Sequence, residues 1–293
     1  MKTNLYVVTG GIGKQVLFSN LIEDLAKKDD TLISIASVYP TLFVNHPLVY
    51  SSIDLWDIDH LNIEHKTFDP KLIDKYFHNI IGFDPFFSNY LKLEDHIINS
   101  WREGLSLTPT QNTYTDIVVN SDNAKTYNGF LHIEGNERFV IVQLKGGTYI
   151  NNKSRNEKLK EIRDYSDTYQ LISAIANRFY DIHFLIVRTT EDVYDERIDK
   201  LPNVGYAENI PLLDIQYLVN KCLTFISIDS CIQHFAVNKE NLKKGIVLWG
   251  NIVGPQINTI GHKYNTNLMS EKINELYIHE DVILEKLENI LSQ

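Results

Sequence analysis

Short apolar runs alternate with segments of helical spacing along this chain, and this alternation restricts the folds that it can adopt. The runs have the length of strands and are bounded by polar residues or glycine, which is typical of a parallel sheet covered on both faces. The predicted strands include residues 5–9, 31–38, 139–144, 183–187 and 225–228, and helical spacing follows at residues 14–27 and 166–179. Strands and helices in alternation indicate an α/β fold with parallel sheets.

Two of the predicted strands lead directly into glycine turns. Gly10, Gly11 and Gly13 follow the first strand, and Gly146 and Gly147 follow the strand at residues 139–144. Glycines let backbone amides approach an anion, so a strand, a glycine turn and a helix together can bind a phosphate. Neither turn has the complete G-x-G-x-x-G pattern of a dinucleotide site, and no Walker lysine–hydroxyl pair follows the first. Each turn alone predicts either a tight connection or a ligand loop.

The most informative stretch is residues 224–255. Its strand ends at Asp229 and Ser230, either of which can cap a helix that begins near Cys231. Ligands bind at the carboxyl ends of strands in open α/β sheets, and the first amides of a helix, here those of Cys231 and Ile232, favour an anion. This pattern predicts a diphosphate site. The alternative is a well-capped helix with His234 on the surface.

The same stretch resembles the carboxyl-terminal signature of glycosyltransferase family 9, the heptosyltransferase-like enzymes. That signature is roughly D-[ST]-G-x-x-H-x-A, followed by an apolar strand, an aromatic–Gly pair and a Pro. Cys231 stands where the family has Gly, which leaves less room for a donor phosphate. The residues that match are Asp229, Ser230, His234, Ala236, Trp249, Gly250 and Pro255.

The resemblance covers nearly the whole chain and implies the GT-B architecture, in which two Rossmann-like domains with parallel sheets face each other across a cleft. At 293 residues the chain has room for two domains of about 100–150 residues. We expect an amino-terminal acceptor domain at residues 1–120, a linker at 121–136 and a donor domain at 137–275. The last segment, 276–293, is predicted to be a helix that packs back on the first domain.

The catalytic base is the point at which this chain departs from the family. The resemblance implies an Asp base just after the first glycine turn, but Lys14 occupies that position. A lysine with an ordinary pKa is a cation at neutral pH and a poor base. We expect the base elsewhere, with Asp84 as the first candidate and Glu94 or His96 next. The segment Gly11, Gly13 and Lys14 is then expected on the acceptor side.

Two cations are candidates for the donor diphosphate. Lys145 follows the strand at residues 139–144, and the family resemblance implies a cation at the position of Arg163, just before a helix. Positive groups near a departing diphosphate stabilise the charge that develops in the transition state. The alternative for both residues is an exposed position on a charged loop.

Composition excludes several classes of protein. The net charge of −10 argues against non-specific binding to nucleic acid or anionic membranes. Two cysteines provide no disulfide framework, which favours a reducing compartment, and we expect a cytoplasmic protein. Residues 41–66 contain several His and Asp residues, but their spacing matches no common metal motif, so we expect a solvated region and neither a metal nor another cofactor.

These observations predict a glycosyltransferase that moves a sugar from a nucleotide-diphosphate-sugar donor to an acceptor hydroxyl, and the resemblance implies an inverting, metal-independent reaction. The acceptor could be a saccharide, a lipopolysaccharide-like glycan or, less in keeping with the acidic charge, a modified DNA base. The alternatives are a nucleotide-sugar-binding protein without catalysis and a sugar-nucleotide epimerase, which would need an acid/base pair but no acceptor. An NAD-dependent oxidoreductase would need the complete glycine fingerprint.

Overall fold

The computed structural model describes residues 2–55, 61–62, 67–68, 77–82, 95–120, 138–146, 164–190, 192–250, 257–273 and 275–293. The chain divides into two compact units. The first comprises Met1–Asn120 with Asn258–Ile260, and the second comprises Ser121–Ile257 with Gly261–Gln293. The predicted linker at 121–136 lies outside the described residues.

The first unit is built on a parallel sheet of four strands in the order β3-β2-β1-β6, with a separate antiparallel pair, β4 and β5. Its helices are α1 (Ile12–Phe18), α2 (Ile22–Asp29) and α3 (Ile97–Gly104). Its strands are β1 (Thr3–Val8), β2 (Ile33–Ser37), β3 (Val49–Asp54), β4 (Leu61–Asn62), β5 (Thr67–Phe68) and β6 (Phe77–Gly82).

The first long helix of the sequence prediction is interrupted. The pattern at residues 14–27 predicted one helix, but α1 and α2 are separated by a 3₁₀ turn at Ser19–Leu21. The Ser19 hydroxyl donates a hydrogen bond of 2.6 Å to the carbonyl of Val16, three residues earlier. A serine that bonds back to its own helix competes with regular backbone bonding, which explains the break at this position.

The second unit contains a parallel sheet of six strands in the order β14-β13-β10-β7-β8-β9. Its helices are α4 (Thr168–Arg178), α5 (Leu212–Lys221), α6 (Cys231–Phe235) and α8 (Glu280–Leu291), and α7 (Ile257–Ile260) lies at the boundary of the two units. Its strands are β7 (Phe139–Gln143), β8 (His183–Arg188), β9 (Val204–Glu208), β10 (Thr224–Ile228), β11 (Val237–Asn238), β12 (Asn241–Leu242), β13 (Ile246–Trp249) and β14 (Thr266–Met269). The short strands β11 and β12 form a separate antiparallel pair.

The two sheets have the parallel, mixed α/β character that the sequence predicted. Taken in chain order, the six large strands of the second unit read 6-5-4-1-2-3 across the sheet, which is the doubly wound Rossmann order. Consecutive strands therefore spread outward from β7 on one side and from β10 on the other. No helix within the described ranges is long and apolar enough to cross a membrane.

The final helix packs on the second unit, which corrects our expectation that it would pack on the first. Ile283 and Leu287 of α8 are fully buried in the same core as Ile172 and Ile175 of α4. On the surface, Arg178 at the end of α4 donates to both carboxylate oxygens of Glu288, at 3.0 and 3.1 Å. The apolar face of α8 is thus used to cover one face of the six-stranded sheet.

Gly245, which directly precedes β13, allows close packing with Phe225 of β10. A Cβ atom at position 245 would lie 2.4–2.6 Å from three ring carbons of Phe225, which is fully buried. We expect Gly245→Ala to lower the free energy of unfolding by about 2 kcal/mol, because overpacking forces a buried ring to move. Urea unfolding measures this, and Gly11→Ala, whose Cβ meets nothing within 4 Å, is expected to cost less than about 1 kcal/mol. Equal losses in the two variants would contradict this packing argument.

Candidate functional site

The six-stranded sheet has its topological switch point between β7 and β10. The chain leaves β7 toward β8 and β9, whereas it leaves β10 toward β13 and β14, on the opposite side. Connections that diverge in this way leave a crevice at the carboxyl ends of the two strands, which is where ligands bind in open α/β sheets. Gln143 is the last residue of β7, and Asp229 and Ser230 directly follow β10.

Ser230 connects the two strands at this point. It is the N-cap of α6, and its Oγ accepts a hydrogen bond of 3.3 Å from the Ile232 amide. The same hydroxyl donates a hydrogen bond of 2.6 Å to Oε1 of Gln143. The Ile232 amide, which we expected to face a phosphate, therefore already has an acceptor. Asp229 accepts a bond of 2.8 Å from the side chain of Gln233.

Cys231 occupies the position at which the family signature has glycine. Its thiol lies beneath the surface although the residue as a whole is partly exposed, and this burial raises the pKa of the thiol to about 12. The thiol is therefore neutral at physiological pH and serves as a small packing group. Its helix, α6, has only five residues, so its macrodipole is weak and adds little to anion binding.

His234 is buried, which excludes the alternative of a surface histidine. Its Nδ1 lies 2.9 Å from Nε2 of His262, and the two rings meet edge to face at a centroid distance of 5.2 Å. His262, which is also buried, was not singled out by the sequence analysis, since it lies 28 residues further along the chain. The pair joins α6 to the segment that follows α7.

Of the two candidate cations, Lys145 and Arg163, the structure describes Lys145. The ammonium of Lys145 donates to the carbonyl of Val193 and lies 5.1 Å from the centre of the Tyr194 ring. The amide of Gly146 donates to the Asp164 carboxylate at 3.0 Å, so this part of the second glycine turn already holds a carboxylate oxygen. Arg163 and Gly147 lie outside the described residues.

The first glycine turn follows β1 and requires glycine at one position. Gly10 has φ of +99°, a left-handed conformation that other residues rarely adopt. The stem of Lys14 lies over it, because a Cβ atom at Gly10 would be 2.7 Å from Cδ of Lys14. Gly11 caps α1 without a side-chain hydrogen bond, and Gly13 lies in the first turn of α1.

The side chain of Gln15 forms hydrogen bonds that hold the first glycine turn in place, a role that the sequence analysis missed. Its side chain is fully buried and donates to the carbonyl of Val8 at 3.1 Å, while its Oε1 accepts from the Ser37 hydroxyl at 2.8 Å. One amide side chain thus ties the turn to the ends of β1 and β2. A glutamine within an otherwise apolar helix face, beside Val16 and Leu17, was the available signal.

Of the three base candidates, Asp84, Glu94 and His96, the structure describes His96, and Glu94 lies outside the described residues. Asp84 lies outside the described residues. Strand β6 ends at Gly82, which pairs with Val7 of β1. The carboxyl end of β6 therefore lies beside the carboxyl end of β1, where the first glycine turn begins. His96 caps α3, and its Nδ1 accepts a hydrogen bond of 3.3 Å from the Ile98 amide. Nδ1 of His96 is therefore already engaged as an acceptor at the start of α3.

The stretch at residues 41–66 differs from the solvated region that we predicted where it is described. His46 is buried and its Nε2 lies 2.9 Å from a carboxylate oxygen of Asp116, which is also buried. Asp57, Asp59, His60 and His65 lie outside the described residues. Within the described ranges no three His, Cys, Asp or Glu residues come together in a group that could hold a metal ion.

Comparison with known proteins finds solved structures that have a similar fold. No family model matches the sequence, and no curated protein matches it. Among solved structures, the chain is similar to the glycosyl transferase family 9 protein from Veillonella parvula DSM 2008, with a TM-score of 0.70, 13% identity and coverage of 99% of this chain and 97% of that one. It is equally similar to the E. coli ADP-heptose lps heptosyltransferase II, with a TM-score of 0.70, 11% identity and coverage of 99% of both chains.

A third similar structure is the iron-containing dodecameric glycosyltransferase TibC from enterotoxigenic E. coli H10407. Its TM-score is 0.58 at 9% identity, over 90% of this chain and 64% of the TibC chain. Identities this low establish the fold and not the activity. The resemblance of residues 224–255 to the family 9 signature is therefore confirmed at the level of the fold, and the chain has the GT-B fold of the family 9 glycosyltransferases.

Proposed function

We propose that this protein is a glycosyltransferase that uses a nucleotide-diphosphate sugar. The observation that carries the proposal is the pair of polar residues at the switch point of the six-stranded sheet, Ser230 and Gln143, in a chain with the family 9 fold along nearly its whole length. A Rossmann-ordered sheet binds nucleotides at this position. Enzymes of the same fold include one named for ADP-heptose, so ADP-heptose is the first donor to test.

The donor diphosphate is proposed to bind the second unit next to Asp229 and Ser230, with Lys145 and Arg163 as its cations. Transfer of a sugar leaves a nucleoside diphosphate whose charge increases as the glycosidic bond breaks, and fixed hydrogen-bond donors and cations lower the energy of that state. Lys145 has three ammonium protons, of which one is donated to the Val193 carbonyl, so a phosphate oxygen can accept another. His234 and His262 keep α6 in place beside the switch point.

The reaction is proposed to be inverting and independent of metal or other cofactors, with Asp84 as the base and a glycan hydroxyl as the acceptor. A lipopolysaccharide-like glycan fits the fold relatives best, and the net charge of −10 makes a modified DNA base the less suitable acceptor. Because TibC is described as iron-containing, metal independence needs its own test: turnover is expected to be unchanged by a chelator.

Thermal unfolding with nucleoside diphosphates and their sugars tests the donor site. At about 100 times its dissociation constant, a ligand of the folded state adds about 2.7 kcal/mol of stability, which raises the melting temperature by about 5–11 °C in domains of 150–250 residues. We expect such a rise with one nucleotide class, without magnesium, and a smaller rise in Arg163→Ala and Lys145→Ala. No rise with any nucleotide or nucleotide sugar would contradict the proposal.

A second candidate function is a nucleotide-sugar-binding protein that does not catalyse transfer. The observation in its favour is Lys14, whose stem lies over Gly10 where the family resemblance implies an aspartate base. Both candidates bind the donor, so the thermal experiment does not separate them. Release of free nucleoside diphosphate from the donor, measured with an acceptor present, is expected only of the transferase.

A further inference from the structure

The hydrogen bonds of Ser230 leave a donor group on a neighbouring residue. The Ser230 oxygen accepts from the Ile232 amide, and its single proton is given to Oε1 of Gln143. Ser230 therefore has no second proton to offer to a ligand. The carboxamide of Gln143, by contrast, keeps both protons of its Nε2, which makes no hydrogen bond within the part of the chain that the structure describes.

Gln143 lies at the carboxyl end of β7, where ligands bind in open α/β sheets. It is the last residue of β7, it is only partly buried, and Ser230 holds its carbonyl oxygen across the switch point. A carboxamide whose oxygen is fixed has its nitrogen fixed as well, because the group is planar. The nitrogen is therefore oriented before a ligand arrives, which reduces the entropy lost on binding.

Two donors that follow β7 already have partners in the second unit. The Gly146 amide donates to the Asp164 carboxylate at 3.0 Å, and the Lys145 ammonium donates to the Val193 carbonyl. The second glycine turn, for which the sequence left a tight connection or a ligand loop open, thus faces a carboxylate at Gly146. Nε2 of Gln143 is thus a donor on β7 that the hydrogen bond from Ser230 holds at the switch point.

We propose that Gln143 binds the diphosphate of the donor through its Nε2, while its Oε1 positions Ser230. This inference rests on the proposed function, and it assigns one contact within that site. The hydrogen bond is to a charged oxygen, which makes it stronger than a neutral one, and it strengthens further as charge builds on the departing diphosphate. No proton is transferred, since an amide neither gains nor loses one at neutral pH.

Gln143→Glu tests the donor role of Nε2 separately from the acceptor role of Oε1. The glutamate keeps an oxygen that accepts the Ser230 proton, so the N-cap of α6 is preserved, but a carboxylate replaces the NH₂ donor and repels an anion. The matched control is Asn177→Asp, which makes the same amide-to-carboxylate change on the exposed surface of α4, where Asn177 donates to Ser173. Both variants are first compared with the wild type in thermal unfolding, where neither is expected to shift the melting temperature by more than about 2 °C.

Titration with ADP, GDP, UDP and CDP, each also in competition with inorganic pyrophosphate, then gives the dissociation constants. For the nucleotide that binds the wild type most tightly, we expect Gln143→Glu to raise the dissociation constant at least about tenfold and Asn177→Asp to leave it within about twofold. Wild-type binding that Gln143→Glu retains within about twofold would overturn this inference and leave the proposed function standing. Absence of wild-type binding to every one of these compounds would overturn both.

Discussion

Replacing Asp84 by Asn is expected to lower turnover by at least about 100-fold while donor affinity stays within about twofold, because general base catalysis typically contributes 10²–10⁴-fold. The amide has the size of the carboxylate but cannot accept the proton of the acceptor hydroxyl. Two observations direct this prediction to Asp84. The first is that Lys14 occupies the position of the family base. The second is that β6 ends with Gly82 opposite Val7, so the carboxyl end of β6 lies beside the start of the first glycine turn.

Asp54→Asn is the matched control for this experiment. Asp54 is the last residue of β3 and so also lies at a carboxyl strand end, but β3 is three strands away from β6, about 14 Å across the sheet. Turnover of this variant is expected to remain within about twofold of the wild type. Steady-state release of nucleoside diphosphate and titration of the donor supply the two readouts. Full turnover in Asp84→Asn would place the base elsewhere, and a parallel loss of donor affinity would make Asp84 a binding residue.

Replacing His46 by Ala is expected to lower the free energy of unfolding by about 3 kcal/mol. Both members of the His46–Asp116 pair are buried, with side chains 3% and 8% exposed, and their atoms lie 2.9 Å apart. Nδ1 of His46 also accepts from the Leu48 amide at 3.2 Å, so Nε2 carries the proton that Asp116 accepts. Without the imidazole, a buried carboxylate loses this donor and a cavity remains, and both changes destabilise the fold.

Two further variants, measured by urea unfolding, test whether the loss of stability in His46→Ala comes from the buried His46–Asp116 pair. Asp116→Asn keeps an oxygen that accepts from Nε2, so it is expected to lose less, about 1 kcal/mol. Lys27→Ala removes an exposed pair with Glu23, and its expected loss is much smaller than that of His46→Ala because solvent weakens surface pairs. A loss below about 1 kcal/mol for His46→Ala would mean that the pair adds little to stability.

The sequence alone determined the features that arise from neighbouring residues. Apolar runs bounded by polar residues predicted the parallel strands, and Ser230 was predicted, with Asp229, as a cap because a serine hydroxyl can reach the amide two residues ahead. The family resemblance of residues 224–255 extended this local pattern to the GT-B fold, which the similar structures confirm. The break between α1 and α2 escaped prediction, because Val16, Leu17 and Leu21 keep their helical spacing across it.

Only the tertiary structure decided which distant side chains meet. Ser230 and Gln143 are 87 positions apart, His46 and Asp116 are 70 apart, and His234 and His262 are 28 apart. Each pair depends on the order of strands within a sheet or on the path of a connecting segment. Neither is encoded in the spacing of residues along one element, since that spacing specifies which face a residue occupies and not what lies opposite. The same holds for α8: its apolar stripe predicted a buried face, but the six-stranded sheet and α4 determined which core received it.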